Sequence, residues 1–532
     1  MLYQPQVFVN RHPRLLMFVL IVAIGIGVAF RFVALDRKVY WHDEVYTNLR
    51  SAGFTAEEVS ADLFGDRIFS PPDLLKYQRP KPKSTAADTV ESLKTNPHHP
   101  PLYYLIARGW MKGFGGSIFA SRLLPALISL ISLPLIYALA WELFQSPLIS
   151  LTATTLLALS PFDLLFAQTA RQYSLMTALI IAASLVLLKA VRTDHCFWWG
   201  CYIFACTLGL YTHLFFSLAI AGHVAWRLLI FLSEPPPVIP SRGRFSIPKF
   251  PVAILLLPIL YSPWIFIIIN NFSDLQSRTS WAEQSVDLLH LAKFWILGFT
   301  SLLVDIDFGF YNVWTYVFRL PFLLLILAAL FYLGEMTDRP TRLFILTAIF
   351  VPFILLVLPD LLLGGQRSAV TRYLICCFPA VQISVAFLLG THLSTGRQSL
   401  FDGEYLWRGI FALLLTASLV SLGMSATAST WWSKNLSYFN AQIATQINAA
   451  DAPVLIADSG NGTNMGDLIS LAYLLDDDVE LILMDPEPNL SLIPENSTLF
   501  LFRPSENLRE LVEAKYGQLE PAIEARQLWK LK

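Results

Sequence analysis

The chain has 532 residues, 55% of them hydrophobic and 14% charged, with a formal net charge of -1. So low a charged fraction, against about 25% in soluble domains, excludes an ordinary soluble protein and predicts a polytopic membrane protein. The near-zero balance also excludes the basic footprint of a nucleic-acid binder, so any cationic chemistry is local. In chain order, the first apolar run, "RHPRLLMFVLIVAIGIGVAFRFVAL", opens with Arg11 and Arg14 and reads as a retained first span, since no small-residue cleavage site follows it. Directly behind it, "YWHDEVYTNLR" at 40–50 sets Asp43 beside Glu44, flanked by His42, Trp41 and Tyr46. Two acids where a span ends form either a wet helix boundary, which costs almost nothing, or the start of an active site.

Residues 36–118 read as one long outer segment. It holds an amphipathic helix in "SAGFTAEEVSADLFGDRIF", a loop rich in Pro, Lys, Ser and Thr in "QRPKPKSTAADTVESLKTNP", and an interfacial helix in "HPPLYYLIARGWMKGFG". Apolar runs near 119–143, 147–166, 174–191, 197–213, 214–232, 250–270, 312–334, 343–363, 370–390 and 406–428 bring the expected number of spans to about eleven. With the N-terminus cytoplasmic, the inner side collects Arg11, Arg14, Lys189, Arg192, Arg227, Arg242, Arg244, Lys249, Arg339, Arg342, Arg397 and Arg408. The outer side has only Arg171, Arg278, Lys293, Arg367 and Arg372, which agrees with the positive-inside rule.

After residue 429 the pattern changes to β-like runs, "PVLIAD", "VELILMD" and "STLFLF", between helical stretches. The expected fold is therefore an all-α polytopic membrane domain, 1–428, followed by a small α/β extracytoplasmic domain, 429–532. The "DSGNGTNMG" loop matches a nucleotide-binding turn only loosely, because its glycines read G-x-G-x-x-x-G and no basic residue follows. The Asn-x-Ser/Thr sequons at Asn271, Asn435, Asn461, Asn489 and Asn496 all fall on the predicted outer side. The cysteines, Cys196, Cys201, Cys206, Cys376 and Cys377, sit in or beside apolar runs with no CxxC pair, as packing residues do.

Several reactive groups share that outer side. "NPHHPPLYYL" brings His98 and His99, "SPFDLLFAQTARQYSL" brings Asp163, Gln168, Arg171 and Tyr173, "YTHLFF" brings His213, and "GGQRSAVTRYLI" brings Arg367 and Arg372. A transporter places its polar groups near the bilayer midplane instead.

In their order and spacing, the "DE" after the first span, "HPPLYY", "SPFDLLFAQTARQYSL" and the late "RYLI…FP" resemble the GT-C type membrane glycosyltransferases. The resemblance is to the group of protein O-mannosyltransferases and lipid A aminoarabinose transferases, over roughly residues 10–390. It implies transfer of a sugar from a polyprenyl-phosphate donor to a lipid, glycan or protein acceptor outside the cytoplasm. Asp43 is then the general base, and Glu44 orients Asp43, the acceptor or a metal. The leaving phosphate needs fixed cations, for which Arg372 and Arg171 are the first choices, with Tyr173, His99 and Arg367 beside them. A divalent ion on His98 and His99 with Asp43 or Glu44, or on His213, is the alternative use of the imidazoles, although adjacent histidines do not readily point the same way.

The chain departs from the group at Thr169, where relatives carry an acid in a "QEAR"-like stretch, and Asp163 is the candidate to replace it. The expected home is a bacterial inner membrane, with the N-terminus cytoplasmic and the C-terminal domain outside. Two rival readings are a transporter or flippase of lipid-linked sugars, which predicts internal repeats and midplane charges, and a non-catalytic envelope assembly protein.

Overall fold

The computed structural model describes residues 13–233, 249–306, 308–394, 404–460, 462–485, 488–494 and 497–532. Arg11, Arg242, Arg244 and Arg397 of the topology argument, and the sequon residues Asn461 and Asn496, lie outside the described residues. The chain divides into two compact units.

The first, a helical unit, comprises Met1–Val33, Asn96–Tyr103 and Pro125–Ala426. Among the described residues, seven helices are long and apolar enough to cross a membrane: Ile118–Phe144, which enters this unit at Pro125, then Tyr173–Thr193, Phe216–Ser233, Lys249–Asn270, Val313–Met336, Arg339–Leu363 and Tyr405–Ser437, which leaves it after Ala426. The pair Pro147–Leu159 and Pro161–Ala167, bent by 56°, makes an eighth if taken as one span. The count expected from hydropathy, about eleven, is larger. The difference is carried by Arg14–Phe30, Cys196–Thr212 and Phe378–Leu393, apolar helices shorter than the seven and at the lower end of the length a bilayer asks of a span.

The bend follows from its residues. Ser160 leaves helical geometry at ψ 119°, its hydroxyl accepts from the Asp163 amide, and Pro161, which has no amide hydrogen to satisfy, starts the next helix. Packing here relies on close approach. A Cβ on Gly27 would run into the Ala158 carbonyl, and one on Gly390 would lie 2.8 Å from Ile149 Cγ1, so both helices meet Pro147–Leu159 through glycine. Arg31 is buried at the same crossing and donates to Gly27 O and Ala158 O, both at 2.7 Å, to Leu157 O at 3.2 Å and to Ser129 Oγ at 3.0 Å. It thereby satisfies the carbonyls that two helix ends leave over.

The second unit comprises Ala34–Thr95, Tyr104–Leu124 and Thr427–Lys532. Residues 34–95 and 104–124, most of the segment grouped with the membrane domain on sequence, pack here with the C-terminal segment. The physical reason is a shared sheet. β1 (Arg67–Phe69) pairs antiparallel with β3 (Glu480–Met484), which runs parallel to β2 (Pro453–Asp458). β2 continues parallel to β4 (Thr498–Phe502), and β6 (Leu528–Leu531) and β5 (Leu519–Pro521) close the far edge, giving the order β1-β3-β2-β4-β6-β5. Every residue of β2 is buried, as expected of a central parallel strand covered on both faces. Val454, Ile456, Ile482, Leu499 and Leu501 pack with Leu508 and Val512 of the Glu506–Tyr516 helix. The "HPPLYY" stretch opens the Leu102–Phe114 helix, whose Arg108 donates to Ser51 O, Thr89 Oγ1 and Ser84 Oγ and so ties down residues 51–89.

Candidate active site

Asp43 and Glu44 lie in the first turn of the His42–Ala52 helix, where the helix dipole favours negative charge. Their surroundings are opposite. Glu44 is fully buried, and its carboxylate accepts from Arg122 Nε and a terminal Arg122 nitrogen, both at 2.8 Å, from Lys434 Nζ at 2.9 Å and from the Trp41 amide at 3.0 Å. Arg122 spends its remaining donors on Leu35 O, Lys38 O and Val39 O at 2.8–2.9 Å, so all five are used. Glu44 therefore fixes the helix to the turn before it and has nothing left for a proton. Asp43 stays partly exposed on the same turn. Lys38 is buried nearby, and desolvation, with the charges of Lys434, Arg122 and Arg37 behind it, draws its ammonium from 10.5 to about 7.

His42 turns toward the C-terminal segment. Its Nδ1 lies 3.8 Å from Asp467 Oδ1, its ring lies 4.9 Å from that of Tyr46, and its backbone amide donates to Ser437 Oγ at 2.9 Å. Ser437 in turn donates to Asp467 at 2.6 Å, and Arg503 pairs with the other Asp467 oxygen.

In the helical unit, Arg171 lies 5.8 Å from the Tyr173 ring, Tyr173 6.1 Å from His213, and Arg372 5.6 Å from Tyr373, whose ring meets Phe215. The guanidiniums of Arg171 and Arg372 both act electrostatically on His213. Residues from three separate stretches thus form one cationic group. The Phe215 amide donates to His213 Nδ1 at 3.1 Å, so the neutral ring carries its proton on Nε2 and presents a donor there. Gln172 was missed on sequence: it is fully buried, and neither its amide oxygen nor its nitrogen has a hydrogen-bond partner among the described residues. A glutamine beside an arginine in "TARQY" was its only signal.

Arg367 is engaged by Asp360 at 3.3 Å and Glu283 at 3.2 Å, two carboxylates that neutralise it. Asp163 accepts from Gln382 Nε2 at 2.7 Å and borders, with Arg31, a cavity of about 10 Å³, room for no more than one water. Thr169, at the position where an acid was expected, is buried and donates its hydroxyl to Leu165 O. His98 and His99 do lie side by side, contrary to the steric expectation, with ring centroids 3.9 Å apart. Among the described residues no three His, Cys, Asp or Glu side chains are grouped as a metal site would require. Asp43 and Glu44 belong to one unit, and His98, His99, Asp163, Arg171, Tyr173, His213, Arg367 and Arg372 to the other.

Residues 98–267 match the family described as dolichyl-phosphate-mannose-protein mannosyltransferase. The whole chain is similar in fold to ArnT from Cupriavidus metallidurans. With the form bound to undecaprenyl phosphate it shares 11% identity at a TM-score of 0.53, covering 97% of this chain and 98% of that one. With the apo form the values are 12% and 0.54, covering 96% and 97%. No curated protein sequence matches it. The fold is that of the GT-C membrane glycosyltransferases, in an integral membrane protein that resembles the mannosyl- and aminoarabinosyltransferases.

Proposed function

We propose that this GT-C glycosyltransferase moves a sugar from a polyprenyl-phosphate donor to an acceptor hydroxyl or amine on the extracytoplasmic side of a bacterial inner membrane, with inversion at the anomeric carbon. The observation that carries the reading is the contrast within one helical turn: Glu44 is saturated by four donors while Asp43 stays partly exposed. An aspartate held on so rigid a turn is suited to act as general base, taking the acceptor's proton as its oxygen or nitrogen attacks the anomeric carbon. Glu44 is then the anchor of that turn.

The group of Arg171, Arg372 and His213 suits the leaving phosphate. Two guanidiniums keep their charge when desolvated, and the imidazole adds one donor. Gln172 supplies a further amide to the donor. Arg367 and Asp163 are left out of the chemistry, because Arg367 is held between two carboxylates and Asp163 accepts from Gln382 beside a cavity with room for one water. The ligand in one relative's description, undecaprenyl phosphate, supports the donor class.

The test incubates purified protein with a panel of mannosyl, glucosyl and aminoarabinosyl undecaprenyl phosphates and dolichyl-phosphate mannose, and follows release of the polyprenyl phosphate. Asp43→Asn is expected to lose about 100-fold or more in turnover, and Arg372→Ala to raise the donor KM. Full turnover by Asp43→Asn removes the general base from the reading. NMR of the product's anomeric carbon tests inversion.

A further inference from the structure

The second unit contains an arrangement that the general-base reading does not use. Its parallel strands β3, β2 and β4 run in the order in which β2 is central, so the chain reverses direction of travel between β2 and β4. In open sheets of this kind the carboxyl ends of the strands at such a reversal are where ligands are handled. Here that edge is drawn together by Asp458, which ends β2 and accepts from the amides of Gly460 and Ser505, and by Asn464, which donates to Asp458 O and Arg503 O. Arg503, directly after β4, holds a left-handed backbone at φ 43°, a strained conformation for a residue with a side chain. What this strain achieves is visible: Arg503 reaches Asp467 in the first turn of the Asn464–Ala472 helix, and Asp467 faces His42.

The third glycine of "DSGNGTNMG" completes the setting. A Cβ on Gly466 would lie 2.6 Å from His42 Nδ1 and 2.7 Å from Tyr46 Cε2. Only glycine lets the imidazole lie against this turn. The loop is therefore shaped to receive the residue immediately before Asp43, which accounts for a glycine that the phosphate-loop pattern does not.

We propose that Asp467 and His42 form a carboxylate–imidazole pair, and that His42 is the proton-accepting partner of Asp43. The inference rests on the reading of Asp43 as general base. In the transfer the acceptor's O–H or N–H bond breaks as the heteroatom bonds to the anomeric carbon. The bond from that carbon to the phosphate oxygen breaks, and its electron pair leaves on the polyprenyl phosphate. The proton passes to the Asp43 carboxylate, then to Nε2 of His42, since Nδ1 faces Asp467, and is released to water through the 12% of the side chain that is exposed. Asp43 is thus ionised for the next turnover. The charged or titratable groups facing the imidazole are Asp43, Tyr46 and Arg50 from its own helix, Asp467 from the Asn464–Ala472 helix and Arg503 from the end of β4. Burial lowers the imidazole's pKa, the two carboxylates oppose that fall and the two arginines add to it, so at neutral pH the ring is neutral and able to take a proton.

The test uses the full chain and whichever donor of the panel above it turns over, comparing wild type, His42→Asn, Asp467→Asn and Asp43→Asn. His42→Asn is expected to lose about 10- to 100-fold in kcat with the donor KM within about twofold. The acid limb of log kcat against pH is expected to fall from a slope near two protons to one, because one of two coupled groups no longer titrates. Asp467→Asn keeps the imidazole and is expected to move its part of the limb to lower pH, so it decides the matter even where His42→Asn does not fold. An acid limb unchanged in slope and position in both variants, with only thermal stability altered, makes His42 a packing residue and overturns the inference. If Asp43→Asn is dead while His42→Asn has full kcat, the relay falls and the base stands. If Asp43→Asn keeps full turnover, the base reading falls first.

Discussion

Removing the Glu44 carboxylate leaves Arg122 and Lys434 buried together with no counter-ion, a change of about 3–5 kcal/mol for a broken buried pair. Glu44→Ala is therefore expected to unfold many degrees below wild type in detergent. Lys434→Met, which leaves the two-nitrogen Arg122 contact intact, is expected to cost clearly less. Equal losses in scanning fluorimetry would mean that Lys434, not Arg122, is the main partner. Lys38 gives a pH signature in the same place. Its folded value, about 7, lies below the ordinary 10.5. Between those values the unfolded chain holds the proton and the folded chain does not, so stability rises with pH across the window and the full penalty persists below it. The difference in Tm between wild type and Lys38→Met is expected to shift in favour of wild type from pH 7 to pH 9.5, within the window those two values bound. Parallel curves would show that Lys38 titrates normally.

At the scale of elements, helix contacts in the membrane unit turn on small residues rather than on hydropathy. Gly27 and Gly25 sit in the same helix, but a Cβ on Gly27 meets the Ala158 carbonyl, whereas one on Gly25 has nothing within 4 Å. Gly27→Val is expected to destabilise the unit by about 1–3 kcal/mol and to disturb the Arg31 hydrogen bonds at the crossing, while Gly25→Val stays near wild type. Thermal melts of the two variants, run side by side, check this, and equal behaviour would refute the close-approach account. Helices were largely legible because apolar runs of spanning length carry their own signal, as did β2, β3 and β4 with their β-branched and aromatic residues. β1 was not: "RIF" is three residues long, and its partner β3 begins only at Glu480. The bend at Ser160 was legible in hindsight from Ser-Pro, the usual residues of a cap and a first helical turn.

Across the whole molecule, the candidate residues could be named from the sequence and the side chains that hold them could not. Asp43, Arg171 and Arg372 stand in recognisable stretches, but Lys434 and Asp467 reach the first-loop helix from 390 residues or more away in the chain, and Arg503 acts there only through its pair with Asp467. No local pattern encodes such pairings, because they depend on how the second unit closes on itself. The C-terminal segment, which looked on sequence like a separate domain, carries the anchor of Glu44, the carboxylate beside His42 and the strands that β1 joins. A chain ending at Thr427 loses all three at once. It is expected to keep its membrane helices, which lie wholly or mostly in the other unit, yet to release no polyprenyl phosphate. Limited proteolysis separates this from a simple loss of expression. In the full chain, residues 42–52 are protected by burial against Lys434 and Asp467. In the truncated chain, Arg50 is expected to become a tryptic site while the membrane helices stay protected in detergent or bilayer. Protection at Arg50 in the truncated chain, together with retained turnover, would mean that residues 36–118 fold without the segment that here supplies their partners.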